Sequence, residues 1–173
     1  MKSNKKIYVL GVDGGGTKTV AAVADVKGFI VKKIKGKPLN PFSLGIKNSL
    51  KNLEEIIKKI PRGLSERIEV GYIGLAGERF LSNKEKREYK RVIEKTLKRR
   101  VKVLIGSDHL IAFRSNTDSK DGVLVIAGTG SVVHSWRKEK EKVVLGWGWL
   151  NDEGSGFWIG KEAIGAIFRD IEG

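Results

Sequence analysis

With 173 residues the chain can bury one ordinary core, or one small domain and the start of a second, and it is too short for two complete domains. It contains no Cys, which excludes disulfides, thiolate zinc sites and Cys-ligated iron-sulfur clusters. Its 34 Lys and Arg against 20 Asp and Glu give a formal charge of +14, open to nucleic acid, an anionic membrane or a solvated surface.

The N-terminal MKSNKK leads straight into a strand, and no apolar run reaches the roughly 18 residues needed to cross a membrane. A cytoplasmic protein with no membrane partner is expected. KIYVLGVD reads as a strand, GGGTKT as a glycine turn, and TVAAVADVKGFIVKKI as two further strands joined at Val26-Lys27-Gly28, so the chain opens on an antiparallel meander. Ile46, Leu50, Leu53, Ile56, Ile57 and Ile60 share one helical face, which Pro61 ends. IEVGYIGLAG is an apolar run of strand length, SNKEKREYKRVIEKTLKRR a capped helix, and VKVLIGSD another strand; this succession adds parallel strands to the sheet.

From Lys84 to Lys102 ten basic residues stand against Glu85, Glu88 and Glu94, while Tyr89, Val92, Ile93 and Leu97 recur at helical spacing. The charge is therefore expected on the outer face of an amphipathic helix. No zinc-finger or RNP aromatic pattern accompanies it, which favours a solvated surface over a nucleic-acid partner. Abundant Lys and Glu, a single Met and no Gln also fit proteins from very hot environments.

After a short helix around Leu110 to Arg114, the polar SNTDSKDG reads as a linker and GVLVIAGTGSVVHSW as a hairpin. The expected boundary lies near Ser119, with residues 1–118 as a first domain and 119–173 as the start of a second. The strand, Gly-Thr turn and returning strand of the second unit echo those of the first. An apolar helix, FWIGKEAIGAIF, follows.

Gly14, Gly15 and Gly16 let the backbone approach a phosphate and turn its N–H groups inward, Thr17 and Thr19 add hydroxyls, and Lys18 lies between them. Asp13, at the strand end, is suited to hold Mg2+ through water. The spacing is not a P-loop, because Thr17 stands before Lys18; a glycine-rich hairpin turn without a ligand is the alternative. Gly128, Thr129, Gly130 and Ser131 form a second candidate phosphate turn with the same alternative. Asp108 follows VKVLIG, where parallel-sheet proteins place ligand-binding residues, although an Asp there also serves as a helix N-cap. His109 and His134 lack Cys or clustered carboxylates at metal-ligand spacing and are expected to be structural or solvated. GWGWLNDEGSG sets Trp beside carboxylates, which suits a sugar ring and also suits a packed loop with a helix cap.

Taken in order, GVDGGGTKT, the Pro38-Leu39-Asn40 turn, SDHLIAF, IAGTGS and GWLNDEGSGFWIGKEA resemble the BadF/BadG/BcrA/BcrD ATPase family, in the branch containing N-acetylglucosamine kinases and archaeal hexokinases. The resemblance covers nearly the whole chain. It implies an α/β fold, a ribonuclease H-like (actin-like ATPase) domain with a mixed sheet followed by the beginning of a second such domain. By the same resemblance Asp13 is the magnesium-associated aspartate, and residues 14–19 and 128–131 are the two phosphate loops. Asp108 is the catalytic base that accepts the proton of the sugar hydroxyl as it attacks the γ-phosphate, and Asn40, Asp108 and Asp152 fall at sugar-binding positions.

The implied activity is ATP-dependent phosphorylation of a hexose or N-acetylhexosamine, at carbon 6, with ATP and Mg2+ as cofactors. A non-catalytic subunit that binds sugar or phosphate is the alternative. Iron-sulfur members of the family are excluded by the absence of Cys. Ala76 stands where the N-acetylglucosamine kinases carry Ser, and Val132 follows GTGS where they carry Asn, which implies a less selective hexose site. Relatives continue well beyond the equivalent of Gly173, through the glycine motif that clamps adenosine. The chain by itself is therefore expected to self-associate or to need a companion polypeptide, with its sugar kinase activity in question.

Overall fold

The computed structural model describes residues 6–138 and 140–173. The chain forms two compact units, Met1–Ile111 and Ala112–Gly173, so the junction falls inside the helix Asp108–Arg114, ahead of the polar segment read as a linker.

The first unit is built on a five-stranded sheet of order β3-β2-β1-β4-β5, formed by β1 (Tyr8–Gly14), β2 (Thr19–Asp25), β3 (Ile30–Gly36), β4 (Ile68–Leu75) and β5 (Lys102–Ser107). The first three strands pair antiparallel as the expected meander, and β4 and β5 lie parallel to β1. This mixed order is that of a ribonuclease H-like domain. Parallel neighbours need crossovers. Helices α1 (Pro41–Leu44), α2 (Ile46–Lys58) and α3 (Arg62–Ser65) lead to β4, and a 3-10 turn, Glu78–Phe80, and helix α4 (Asn83–Leu97) lead to β5.

Alternation along β1 puts Tyr8, Leu10 and Val12 on one buried face, closed by Leu53, Ile56 and Ile57 of α2 and by Tyr89, Ile93 and Leu97 of α4. At about 1.5–3 kcal/mol for each large apolar side chain fully buried, this cluster is the chief stabiliser of the unit. The start of α4 is written in its sequence: the Ser82 hydroxyl accepts from Glu85 N, and the Glu85 carboxylate accepts from Ser82 N at 2.7 Å. Lys84, Arg87, Lys90 and Arg91 stand exposed on its outer side.

The second unit carries a three-stranded antiparallel sheet, β6 (Gly122–Ala127), β7 (Ser131–Arg137) and β8 (Lys140–Leu145), in that order. The last helix, α6, runs from Gly156 to Glu172 and contains no buried residue. The end of α5 (Asp108–Arg114) joins this unit through Phe113, which is buried and stacks on Trp136 at 4.4 Å between ring centroids. His134 is also buried, with Nδ1 2.6 Å from Glu141 Oε1 across the β7–β8 pair. Among the described residues no helix is long and apolar enough to cross a membrane.

Candidate functional site

In the first unit the candidate residues gather at the carboxyl ends of β1 and β5. Past Gly14 the chain turns sharply, leaving Gly16, Thr17 and Lys18 exposed, so their polar groups are open to a ligand. Gly14 itself sits in a tight place, since a Cβ there would lie 2.9 Å from the Gly74 carbonyl and 3.0 Å from Leu39 Cβ. Thr19 differs from Thr17. It is wholly buried in β2, and its hydroxyl is closed to solvent with no hydrogen-bond partner among the described residues.

Asn40 is held beside this turn by a network that runs through the core. Tyr89 of α4 donates to the Ser49 hydroxyl at 2.7 Å, and Ser49 donates to the Leu39 carbonyl at 2.5 Å. Asn52 donates to the Pro38 carbonyl at 2.9 Å, and Leu39 N donates to the Gly15 carbonyl at 3.2 Å. Asn40 then caps α1, its Oδ1 accepting from Phe42 N at 2.9 Å, which leaves Nδ2 with no hydrogen bond among the described residues. Sequence reading did not find Ser49 or Asn52, because a Ser and an Asn inside an amphipathic helix look like ordinary helix residues until the loop they hold is known.

Asp108 opens α5 directly after β5, with its Oδ1 accepting from His109 N at 3.0 Å. The Ser107 hydroxyl lies 3.1 Å from His109 Nδ1. Asp108 is thus the first residue inside α5 and not the cap before it, a place taken by Ser107, whose hydroxyl also accepts from His109 N, and its carboxylate is near enough to Asp13 to act on its charge. Burial, and after it the neighbouring Asp108 carboxylate, push the Asp13 carboxyl above its ordinary value, against a pull from Lys18 in the other direction. Among the described residues no group of three or more His, Cys, Asp or Glu is arranged to hold a metal. A pair of hard carboxylate oxygens nevertheless fits Mg2+, which commonly takes one or two carboxylates and completes its shell with water and phosphate oxygens.

The raised Asp13 carboxyl has a consequence for stability. The folded chain binds more protons than the unfolded one above the ordinary value of 3.8, so ionising Asp13 makes stability fall as pH rises through that window. Asp13→Asn is expected to raise the melting temperature slightly at neutral pH, solvent screening keeping the gain small, and to lose this gain below the window. Thermal unfolding followed across pH checks this; a neutral-pH melting temperature at or below wild type would rule it out.

In the second unit, Asp152 is buried and ties the candidate phosphate turn to the loop before α6. Its Oδ2 accepts from Ser131 N at 3.1 Å and its Oδ1 from Trp147 N at 2.8 Å. The Ser131 hydroxyl donates to the Glu153 carbonyl at 2.6 Å, and Gly156 N donates to the Gly128 carbonyl at 2.7 Å. A Cβ at Gly130 would lie 2.7 Å from Asp152 Oδ2, which explains the glycine. Gly128 and Thr129 at the turn tip are exposed.

The sequence profile of the BadF/BadG/BcrA/BcrD ATPase family matches residues 10–173. An N-acetylmuramic acid/N-acetylglucosamine kinase of Clostridium acetobutylicum is 30% identical over 175 residues, covering 95% of this chain and 55% of that protein. An N-acetyl-D-glucosamine kinase of Dictyostelium discoideum is 29% identical, covering 96% and 55%. Among solved structures, a Porphyromonas gingivalis protein assigned to the N-acetylglucosamine kinases superposes with a TM-score of 0.70 at 23% identity, covering 95% of this chain and 56% of its own. The chain thus spans about half the length of these relatives.

Proposed function

We propose that this chain, which belongs to the BadF/BadG/BcrA/BcrD ATPase family, is the part of an ATP-dependent sugar kinase that carries the general base and both phosphate turns. The observation that supports this most is the Asp13–Asp108 pair, set at the strand ends beside an exposed glycine turn and an anchored Asn40. The substrates are ATP and a hexose or N-acetylhexosamine.

In the proposed reaction Asp108 takes the proton of the sugar hydroxyl while the hydroxyl oxygen forms a bond to the γ-phosphorus. The bond from that phosphorus to the β–γ bridging oxygen breaks, and ADP leaves. The exposed turn at residues 14–18 is suited to hold phosphate through backbone N–H groups, Thr17 and Lys18. At the second turn the exposed tip, Gly128 and Thr129, is the part open to phosphate, whereas the Ser131 N–H and hydroxyl are taken by Asp152 and the Glu153 carbonyl. Asp13 would hold Mg2+ through water, and that ion supplies charge neutralisation on the phosphates. Asp152, expected from the sequence at a sugar-binding position, is buried with both carboxylate oxygens engaged by backbone N–H groups, so its role in this reading is to brace the second turn. Small Ala76 favours a permissive hexose site over one built for the N-acetyl group, whereas Val132 is buried inside the second unit and carries no weight in that choice.

The apolar face of the second unit is, in this reading, covered by polypeptide equivalent to the remaining length of the relatives. The activity test is sugar-dependent ADP formation by the chain together with that polypeptide, with glucose and with N-acetylglucosamine. No ADP above background with either sugar would overturn the proposal.

Asn40 gives a sharper test. Asn40→Asp keeps an oxygen for the Phe42 N–H cap and removes the Nδ2 donor. The sugar KM is expected to rise roughly 5- to 10-fold, the worth of one lost hydrogen bond, with the ATP KM within about 2-fold of wild type. Equal rises in both constants would take Asn40 out of the sugar site.

A further inference from the structure

Strand register aligns Asp13 of β1 with Gly74 of β4 and Gly106 of β5, on the sheet face opposite the core residues Ile73 and Leu75. A side chain at Gly74 would stand where α5 begins. A Cβ on Gly74 would lie 2.8 Å from Asp108 Cα, 3.1 Å from Asp108 N and 2.7 Å from Ile111 Cδ1. The first turn of α5 therefore rests on bare backbone. At Gly106 the place of a Cβ is taken by the Tyr72 hydroxyl, which donates to the Ser107 carbonyl at 3.1 Å. Ser107 immediately precedes Asp108.

We infer that Gly74, with Tyr72 as a strut, is a positioning residue for Asp108: the bare strand at residue 74 lets Asp108 stand beside Asp13, and the Tyr72–Ser107 bond fixes the peptide from which Asp108 departs. This rests on the reading of Asp108 as the base. Two of the three close contacts at Gly74 are backbone atoms of Asp108, which cannot swing aside as the Ile111 methyl can. Strand β4 cannot give way either, because β1 and β5 hold it on both edges. An added methyl group must therefore move Asp108. Bringing Asp108 Cα from 2.8 Å to an ordinary contact of 3.4 Å displaces it by about 0.6 Å. A general base must meet its proton at hydrogen-bond distance, and a misplacement of about 1 Å can cost about 100-fold in rate.

The matched control is Gly11→Ala. Gly11 lies on the same sheet face, opposite Tyr72, yet a Cβ there meets nothing within 4 Å. Crystal structures of the Gly74→Ala and Gly11→Ala chains should show Asp108 displaced in the first and unmoved in the second. In the assembly that turns over, Gly74→Ala should lower kcat roughly 10- to 100-fold with both KM values within about 3-fold, while Gly11→Ala stays near wild type.

Tyr72→Phe keeps the ring and removes the strut, so it reads the same effect without crowding. It should lower kcat roughly 3- to 10-fold, again with KM preserved. If Gly74→Ala fails to fold, this variant decides. An unmoved Asp108, or turnover of Gly74→Ala and Tyr72→Phe equal to that of Gly11→Ala, overturns the inference. Asp108→Asn, assayed alongside, separates the two levels. Loss of turnover in that variant alone leaves the base standing and removes the positioning role, whereas normal turnover in it, or none in the wild-type assembly, removes both.

Discussion

Replacing Asp108 by Asn is expected to lower sugar-dependent turnover by about 100-fold or more while sugar affinity stays largely intact. The substitution is nearly isosteric, and the side-chain oxygen that accepts from His109 N at 3.0 Å is retained, so the start of α5 keeps its local hydrogen bond. What disappears is the lone pair basic enough to take the hydroxyl proton as the oxygen attacks phosphorus. The charge that helps push the Asp13 carboxyl upward disappears with it, so the variant should be no less stable than wild type at neutral pH. A fall in turnover with an undiminished melting temperature would therefore report chemistry and not folding. His109 is a further basic group nearby, its Nδ1 3.6 Å from Asp108 Oδ1. Near-normal turnover in Asp108→Asn would move the role of base away from Asp108, with His109 the next residue to test.

The elements that sequence reading found are those whose signal is local. Alternating Tyr8, Leu10 and Val12 mark β1, the pair Ser82 and Glu85 marks the start of α4, and Leu53, Ile56 and Ile57 mark the buried side of α2. Strand β8 escaped because Lys140 to Lys142 look like a solvated charge run. Only the pairing of Glu141 with Trp136 and of Lys142 with Ser135 makes them a strand. The expected helix around Leu110 begins at Asp108, since a carboxylate accepting the next N–H can open a helix where apolar periodicity has not yet started. The site divides in the same way. Its glycine turns and acids are visible as motifs, but the approach of Asp13 to Asp108 depends on three strands lying in register. Gly74 and Gly106 therefore read as small members of apolar runs, although each leaves room for a specific neighbour.

The chain in isolation is expected to self-associate and to show little or no hexose-dependent ATP turnover. In α6, Ile164, Ile167 and Phe168 are 55%, 59% and 59% exposed, and in the preceding loop Trp147 is 75% exposed. Phe157, Ile164, Phe168 and Ile171 recur at helical spacing, so α6 presents an apolar stripe with nothing buried behind it. The sheet repeats the pattern. Register sets Val125, Val133 and Val144 side by side, and Val125 and Val144 are 65% and 61% exposed. Soluble monomers rarely keep contiguous apolar patches beyond a few hundred Å2, so copies of the isolated chain should cover one another. Light scattering on the purified chain should give a mass above 19.1 kDa. Ile164→Glu with Phe168→Glu should shift that mass toward the monomer, because charge on the stripe makes its burial costly. A monodisperse monomer with robust sugar kinase turnover would show that the exposed face needs no cover and that this chain alone assembles the site.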